Sequence, residues 1–202
     1  MGLDAKVGDH YSMRMGSYSS IQTQRRKLIE LAIEYCKMKD AQLKEAKHQA
    51  KQLRKQEDEQ VQKDEDTMDS SDNSDSEYDE EFDDAPNWQS ILVELKTWIA
   101  PQSHMMIMLP GFETLFEVNY PNILASKKDD LFAEAGLLGL KWFVNHSDSD
   151  GYWSPGQSMD ILLLLKELQA HKLVNPMFND EDNPYFELLE ASVTHKMPVT
   201  FC

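Results

Sequence analysis

The stretch "SPGQSMDILLLLKELQAHKL", residues 154–173, carries the clearest structural signal in this chain of 202 residues. Ser154 suits the N-cap of a helix, Pro155 suits its first position, and Gln157 can reach back to complete a capping box. The run "ILLLL" at 161–165 is apolar on every side of a helix. A helix without a polar face is typically buried. The stretch therefore predicts a helix that begins at Pro155 and lies at the centre of the domain.

Two further helices are indicated by apolar residues at helical spacing. Residues 85–101 have one wholly apolar face, bracketed by Pro86 and Pro101. Its members are Trp88, Ile91, Leu92, Leu95, Trp98 and Ile99. A similar stripe near the N-terminus consists of Leu28, Ile29, Leu31, Ala32, Ile33, Tyr35 and Cys36. It predicts a helix from about residue 20 to beyond residue 36.

Residues 130–144, "DLFAEAGLLGLKWFV", predict another helix. Ser126 followed by Asp129 resembles a capping box ahead of it. Gly136 and Gly139 lie three apart on this helix, so their missing side chains would let another element approach closely.

The remaining ordered segments are short. The apolar run at 104–109 indicates a short buried strand or a continuation into a loop. The run at 112–121 could be helix or strand, because periodicity does not distinguish the two over such lengths. Residues 175–196 predict a polar loop followed by a short helix, and the alternation in "MPVTFC", 197–202, indicates a strand. Together these elements predict an α+β domain, predominantly helical, with about five helices and a few short strands.

Charge is distributed unevenly along the chain, whose net charge is -16. Residues 57–84 hold one base and fifteen acids, with too few apolar residues to offset the entropy cost of ordering. We therefore predict a disordered acidic insertion over residues 57–85. Within it, Ser74 and Ser76 each precede an acid by three positions, the spacing that acidophilic protein kinases favour.

The insertion interrupts a single domain. Residues 1–36 are too few to bury a core alone, so we expect them to pack with residues 86–202. Residues 37–56 are rich in Lys, Gln, Ala and Leu, and predict a basic helical extension whose apolar stripe is thin for a coiled coil. A protein partner is expected to contact the acidic insertion. Nucleic acid is disfavoured as a partner. No aromatic residue is interleaved with the Lys and Arg residues, and the neighbouring acidic residues compete for these positive charges.

The stretch "HSDSDG", which begins at His146, resembles the middle of a calcium-binding loop. Asp148, Asp150 and Gly151 fall at positions three, five and six of such a loop. The two ends do not match the calcium-loop pattern. Position one is His146, which is a poor ligand for calcium, and position twelve is Gln157, where the pattern needs a carboxylate. A structural turn, in which the Asp side chains cap local backbone donors, fits better.

The same residues also permit a transition-metal or hydrolytic site. His146, Asp148 and Asp150 could supply ligands for a divalent cation, joined in space by His10 or Asp4. The sequence holds no HExxH, CxxC or GxSxG pattern and no phosphate-binding glycine loop. No other cofactor is predicted.

Signals for export or membrane insertion are missing. The N-terminus is polar within a few residues, and no apolar run reaches the length of a membrane span. Gly2 does not complete a myristoylation motif, because position 6 is Lys. Cys36 and Cys202 are too few for a disulfide framework. We therefore expect a soluble protein of the cytoplasm or nucleus.

Two segments together resemble a widespread family of small, uncharacterised proteins of bacteria and their phages. Members open with MGLD or MGMD, continue through an SYS-type segment and an Arg, and carry HSDCDG ahead of a helix that begins with Pro. The matching positions are Gly2, Leu3, Asp4, Ser17, Tyr18, Ser19, Arg26, His146, Ser147, Asp148, Asp150 and Gly151. Two features depart from the pattern: Ser149 replaces the Cys, and the acidic insertion is foreign to it.

The resemblance implies that the two motifs lie together and form one polar pocket. In that pocket Arg26 would bind an anionic group, and Asp148 or Asp150 would orient His146. Alternatively, these polar groups satisfy one another and only hold the domain together. The leading functional hypothesis is a non-catalytic binding or accessory module. The alternative is a small metal-dependent hydrolase that uses the loop from 146 to 150.

Overall fold

The computed structural model describes residues 2–64, 85–99, 129–145, 151–173 and 184–202. Within these ranges the helices are α1 (Tyr18–Asp64), α2 (Trp88–Ile99), α3 (Asp129–Glu134), α4 (Leu138–Asn145), α5 (Pro155–Ala170) and α6 (Pro184–His195). The strands β1 (Gly2–Val7), β2 (Tyr11–Ser17), β3 (Tyr152–Trp153) and β4 (Val199–Phe201) form one antiparallel sheet. The predicted class, mainly helical with a few short strands, is confirmed.

Helix α5 begins as the sequence predicts. Ser154 Oγ accepts a hydrogen bond from the backbone N–H of Gln157 at 3.2 Å, and Gln157 Oε1 accepts one from the N–H of Ser154 at 2.8 Å. The buried residues of α5 are Ser158, Ile161, Leu162, Leu164, Leu165 and Leu168. The expected central position in the core is confirmed, although Leu163 is 57% exposed and one side of the helix meets solvent.

The core forms where α1, α2, α4, α5 and α6 meet the sheet. On α2 the predicted apolar face is confirmed, with Trp88, Ile91, Leu92, Leu95 and Trp98 all buried. The ring of Trp98 stacks on Phe132 of α3, with centroids 5.1 Å apart. Tyr35 of α1 meets Trp88 edge to face at 6.0 Å, so the two pieces of chain on either side of the insertion share one core.

The single helix predicted for residues 130–144 is instead two helices, α3 and α4. Gly136 separates them in a left-handed conformation with φ of +69°, which a residue with a side chain adopts only with strain. The N–H of Leu137 donates to the carbonyl of Phe132 at 2.8 Å and closes the end of α3. Gly139 does provide the predicted close approach, because α4 lies against the backbone of α5 there.

The sequence reading missed the hairpin of β1 and β2. Gly2 pairs with Ser17 and Val7 pairs with Tyr11, with a bulge next to Asp4. Strand β4, from the far end of the chain, pairs with β1 and carries β3 on its other side, so the order is β2-β1-β4-β3. Ala5 and Val7 face the core, whereas Asp4 and Lys6 are exposed.

Helix α1 is longer than predicted. It continues eight residues into the expected insertion and ends at Asp64, so residue 57 is not a helix boundary. Cys36 is its last buried residue in the part of α1 where burial is described, up to residue 56. The rest of the acidic insertion, residues 65–84, lies outside the described residues, as do Ser126 and the apolar runs at 104–109 and 112–121.

Candidate functional site

One end of the sheet gathers three of the predicted site residues. Strand β1 begins there, and its Asp4 exchanges two backbone hydrogen bonds of 3.0 Å with Cys202 at the end of β4. The N–H of Phe201 donates to the carbonyl of Gly151 at 3.2 Å. Asp4 and Gly151 therefore flank β4 on its two sides, about 10 Å apart at the usual spacing of strands.

Ser17 lies at the same end of the sheet, because β2 ends where β1 begins. It pairs with Gly2, and its Oγ accepts a hydrogen bond from the N–H of Ser20 at 3.3 Å. Ser17 thus precedes and caps α1, whose first residues are the predicted site residues Tyr18 and Ser19. The N-terminus of α1 consequently lies beside Gly2 at the start of β1, two residues before Asp4, whose own partner on β2 is Arg14.

The central part of the predicted loop lies outside the described residues: His146, Ser147, Asp148 and Asp150. The phosphorylation candidates Ser74 and Ser76 do as well. Both ends of the loop are nevertheless defined, since it leaves Asn145 at the end of α4 and returns at Gly151 beside β4.

Trp153 fixes the returning end of this loop. Its side chain is 1% exposed and packs edge to face on Phe201 at 4.9 Å and against Phe143 at 5.6 Å. Its indole N–H donates to the carbonyl of Trp142 at 3.2 Å. Since Gly151 is only two residues away, the position of the loop end is set by core packing.

His10 lies at the other end of the sheet, in the turn that joins β1 and β2. Asp4 lies three residues before Val7, the end of β1, which puts about 10 Å between Asp4 and this turn. The ring of His10 stacks on His195 of α6, with centroids 3.8 Å apart and an interplanar angle of 3°. Next to it, the hydroxyl of Tyr11 donates to Glu187 at 2.8 Å. His10 therefore supports the contact between the hairpin and α6.

Arg26 is exposed on α1, and its Nε donates to Glu30 at 3.2 Å on the same helix. Its guanidinium pairs with Glu30, one turn further along the exposed face of α1. The structure brings Asp4, Ser17 and Gly151 together but does not bring Arg26 to them.

Three buried polar residues near the start of α1 were missed by the sequence reading. Arg25 is 1% exposed, and Gln24 donates from its side-chain amide to the carbonyl of Met15 at 3.3 Å. The hydroxyl of Tyr185 on α6 donates to Oε1 of Gln24. Burial raises the pKa of Tyr185, and the positive charge of Arg25 opposes that rise.

A signal for Arg25 was present in the sequence. Arg25 stands four residues after Ile21 and four before Ile29, both buried, so it shares the apolar stripe of α1. Arg26, one position on, is turned by about 100° towards solvent.

A second polar cluster, formed by Tyr35, Lys39, Glu167 and His171, links α1 to the C-terminal end of α5. Oε1 of Glu167 accepts a hydrogen bond from the hydroxyl of Tyr35 at 2.9 Å. The same oxygen lies 3.0 Å from Nε2 of His171 and 3.5 Å from Nζ of Lys39. The hydrogen bond from Tyr35, helped by His171 and Lys39, holds the pKa of Glu167 below its ordinary value although burial acts the other way.

This cluster makes part of the stability depend on pH. The pKa of Glu167 is lower in the folded chain than its ordinary value of 4.5, so its contribution is complete above that value and is lost as the pH falls through the folded value. We expect the free energy of unfolding to fall less between about pH 5 and pH 3 in Glu167→Gln than in the wild type. Urea titrations across this range measure it.

Glu190→Gln is the matched control for this prediction. Glu190 is 53% exposed and pairs with Lys166 on the surface at 3.1 Å, so this variant should keep the acid sensitivity of the wild type. Equal acid sensitivity in wild type and Glu167→Gln would contradict a role for the cluster.

The two cysteines differ in environment. Cys36 is fully buried, and burial raises the pKa of its thiol to about 12. Cys202 is exposed, and both thiols are free. Reaction with thiol reagents is therefore expected at Cys202 rather than at Cys36.

Among the described residues, no group of three or more His, Cys, Asp or Glu is placed to hold a metal ion. Among the helices described, none is both long enough and apolar enough to cross a bilayer. No protein-family model, curated protein or solved structure matches this chain. The resemblance to the bacterial and phage family therefore stays a prediction that rests on its two sequence motifs.

Proposed function

We propose that this chain is a non-catalytic binding module whose ligand site is a polar pocket at the end of the sheet where Asp4, Ser17 and Gly151 converge. The observation that supports the proposal is this convergence of residues from both sequence motifs. Backbone hydrogen bonds through β4 link Asp4 to Gly151, the last residue of the HSDSDG stretch.

The residues of the proposed pocket favour a particular class of ligand. Asp4, together with Asp148 and Asp150 of the loop, would contribute carboxylates, which accept hydrogen bonds and attract positive charge. Arg26 is engaged with Glu30 and would not supply an anion site. The ligand is therefore a small molecule that carries an amine or several hydroxyl groups.

A thermal-shift screen with small amines and polyols tests this proposal. At least one compound should raise the midpoint of unfolding of the wild type, and Asp4→Asn should abolish the shift. Asp9→Asn is the matched control, because Asp9 is also exposed but lies in the turn at the opposite end of the sheet. No shift with any compound, or an equal loss in both variants, would overturn the proposal.

Metal analysis of the purified protein separates a binding module from a metal-dependent hydrolase. The proposal expects no stoichiometric divalent metal. Stoichiometric metal that disappears in His146→Ala would instead assign the loop to a cation site and favour the enzyme.

The acidic insertion supplies protein contacts in this proposal, in the cytoplasm or nucleus. Eleven acids and no base occur in residues 65–84, so the partner surface should be cationic. Deletion of residues 65–84 should abolish capture of that partner and leave small-molecule binding at Asp4 unchanged.

A further inference from the structure

Beyond Cys36, α1 leaves the core and forms an arm, residues 37–64. No residue from 37 to 56 is buried, although Met38 and Leu43 pack against the edge of the core. At 1.5 Å per residue the arm is about 42 Å long. Most of the stability of a helix in a protein comes from tertiary packing. A partner bound along the arm would therefore stabilise it.

The arm carries a basic face. Its members are Lys37, Lys44, Lys47, Lys51, Arg54 and Lys55. At 100° per residue these six side chains fall within an arc of about 100° on the helix. Glu45 lies outside this arc. Asp40 lies within it but is bound to Lys44 at 2.7 Å and to Gln89 at 2.6 Å. The position of Asp58 also falls within the arc, so the face keeps an excess of positive charge with six bases against two acids. Such a stripe of one sign is an electrostatic footprint for a polyanion.

The two ends of the acidic segment, residues 65–84, lie at opposite ends of the arm. One end follows Asp64 at the arm tip. The other precedes α2, which meets the arm base through the hydrogen bond from Gln89 to Asp40. The 24 residues from Asp40 to Asp64 span about 36 Å of helix. The twenty residues of the segment can reach up to about 70 Å, which is long enough to span the arm from its tip to its base.

We propose that the basic face of the arm is a polyanion-binding surface and that its occupant is the chain's own acidic segment, residues 65–84. The segment provides eleven carboxylates against six basic side chains. Because both of its ends are attached at the two ends of the arm, its effective concentration there is roughly millimolar, well above that of a free polyanion. Nucleic acid and acidic proteins must therefore displace the segment, and a cationic partner of the segment must displace the arm.

Distance measurement between two labels tests this proposal in the full chain. Labels at Gln52→Cys on the arm and Asn73→Cys in the segment, in a Cys202→Ser background, report their separation; Cys36 is buried and does not interfere. We expect a short distance at low salt that lengthens at about 0.5 M salt, where charges are screened beyond a few ångströms. A distance that does not respond to salt would overturn the proposal.

Two triple variants of equal charge change locate the interaction on the basic face. Lys44→Gln/Lys51→Gln/Lys55→Gln removes three positive charges from the basic face. Gln42→Glu/Gln49→Glu/Gln56→Glu changes the net charge by the same amount on another exposed face. The first should lengthen the low-salt distance and the second should not, while circular dichroism verifies that both keep the helix. An equal increase of the distance in both variants would show that it depends only on net charge. The basic face would then not be the binding surface.

Competition with single-stranded DNA distinguishes an occupied surface from a vacant one. Replacement of the acids in residues 65–84 by Asn and Gln should tighten binding of a short fluorescent DNA by about tenfold or more. Equal DNA affinity before and after this replacement would show that the segment does not occupy the basic face.

Discussion

Gly139→Ala is expected to lower the free energy of unfolding by about 3 kcal/mol or more, because no space exists for a methyl group. A Cβ at Gly139 would lie 2.2 Å from the carbonyl oxygen of Asp160 and 2.7 Å from the Cα of Ile161. Both atoms belong to the backbone of α5, so neither can rotate away. The two helices would have to separate.

Separation of these helices would also break other contacts. The indole N–H of Trp142 on α4 donates to Asp160 on α5 at 3.0 Å, one turn from the contact at Gly139. In a chain of this size the predicted loss corresponds to about 6–12 °C in the midpoint of thermal unfolding. Urea titration and calorimetry measure both quantities.

Gly156→Ala is the control for the effect of adding a methyl group to a helix. Gly156 lies in the first turn of α5, and its nearest neighbour, Ser154 Oγ, would be 3.8 Å from a new Cβ. Ala is the better helix former, so this variant should be unchanged or more stable by up to about 1 kcal/mol. A loss at Gly139 no larger than that at Gly156 would contradict the close contact between α4 and α5.

The helices were predictable because their signals are local. The capping box at Ser154 and the apolar face of α2 each occur within one segment, and helical spacing identifies them. Gly136 was misread because a helical pattern continues on both sides of it. Only the left-handed turn reveals that the chain changes direction there.

The hairpin of β1 and β2 was missed because its apolar alternation is short and part of its stabilisation is non-local. Ala5 and Val7 alternate with polar residues over only a few positions, and Ala is a weak strand former. Strand β1 is held from one side by β4, which lies almost two hundred residues away in the chain. No local pattern contains that pairing.

For the candidate site, the sequence identified the motifs but not the directions of individual side chains. Asp4, Ser17 and Gly151 share one end of the sheet, whereas His10 lies at the other end because β1 separates them. The prediction of Arg26, where the structure buries Arg25, has a different cause. The family motif favours Arg26, whereas the helical phase places Arg25 on the buried face with Ile21 and Ile29.

Trp153→Ala should destabilise the chain by about 3–5 kcal/mol, the range typical of large aromatic side chains removed from a core. Trp153 is among the largest fully buried residues described. Its removal deletes the contacts with Phe143 and Phe201 and the hydrogen bond to the Trp142 carbonyl. Trp153→Phe should cost less, since a ring remains in place.

Tyr152→Ala is the neighbouring control, because Tyr152 is 65% exposed and should change the unfolding free energy by no more than about 0.5 kcal/mol. The comparison also separates anchoring from binding. Trp153 holds the end of the loop at Gly151, so its loss should reduce both stability and ligand-induced thermal shifts. Asp4 is exposed, so Asp4→Asn should abolish the shift with little change in stability. Full ligand binding by a destabilised Trp153→Ala protein would show that the pocket does not depend on the loop end that Trp153 fixes.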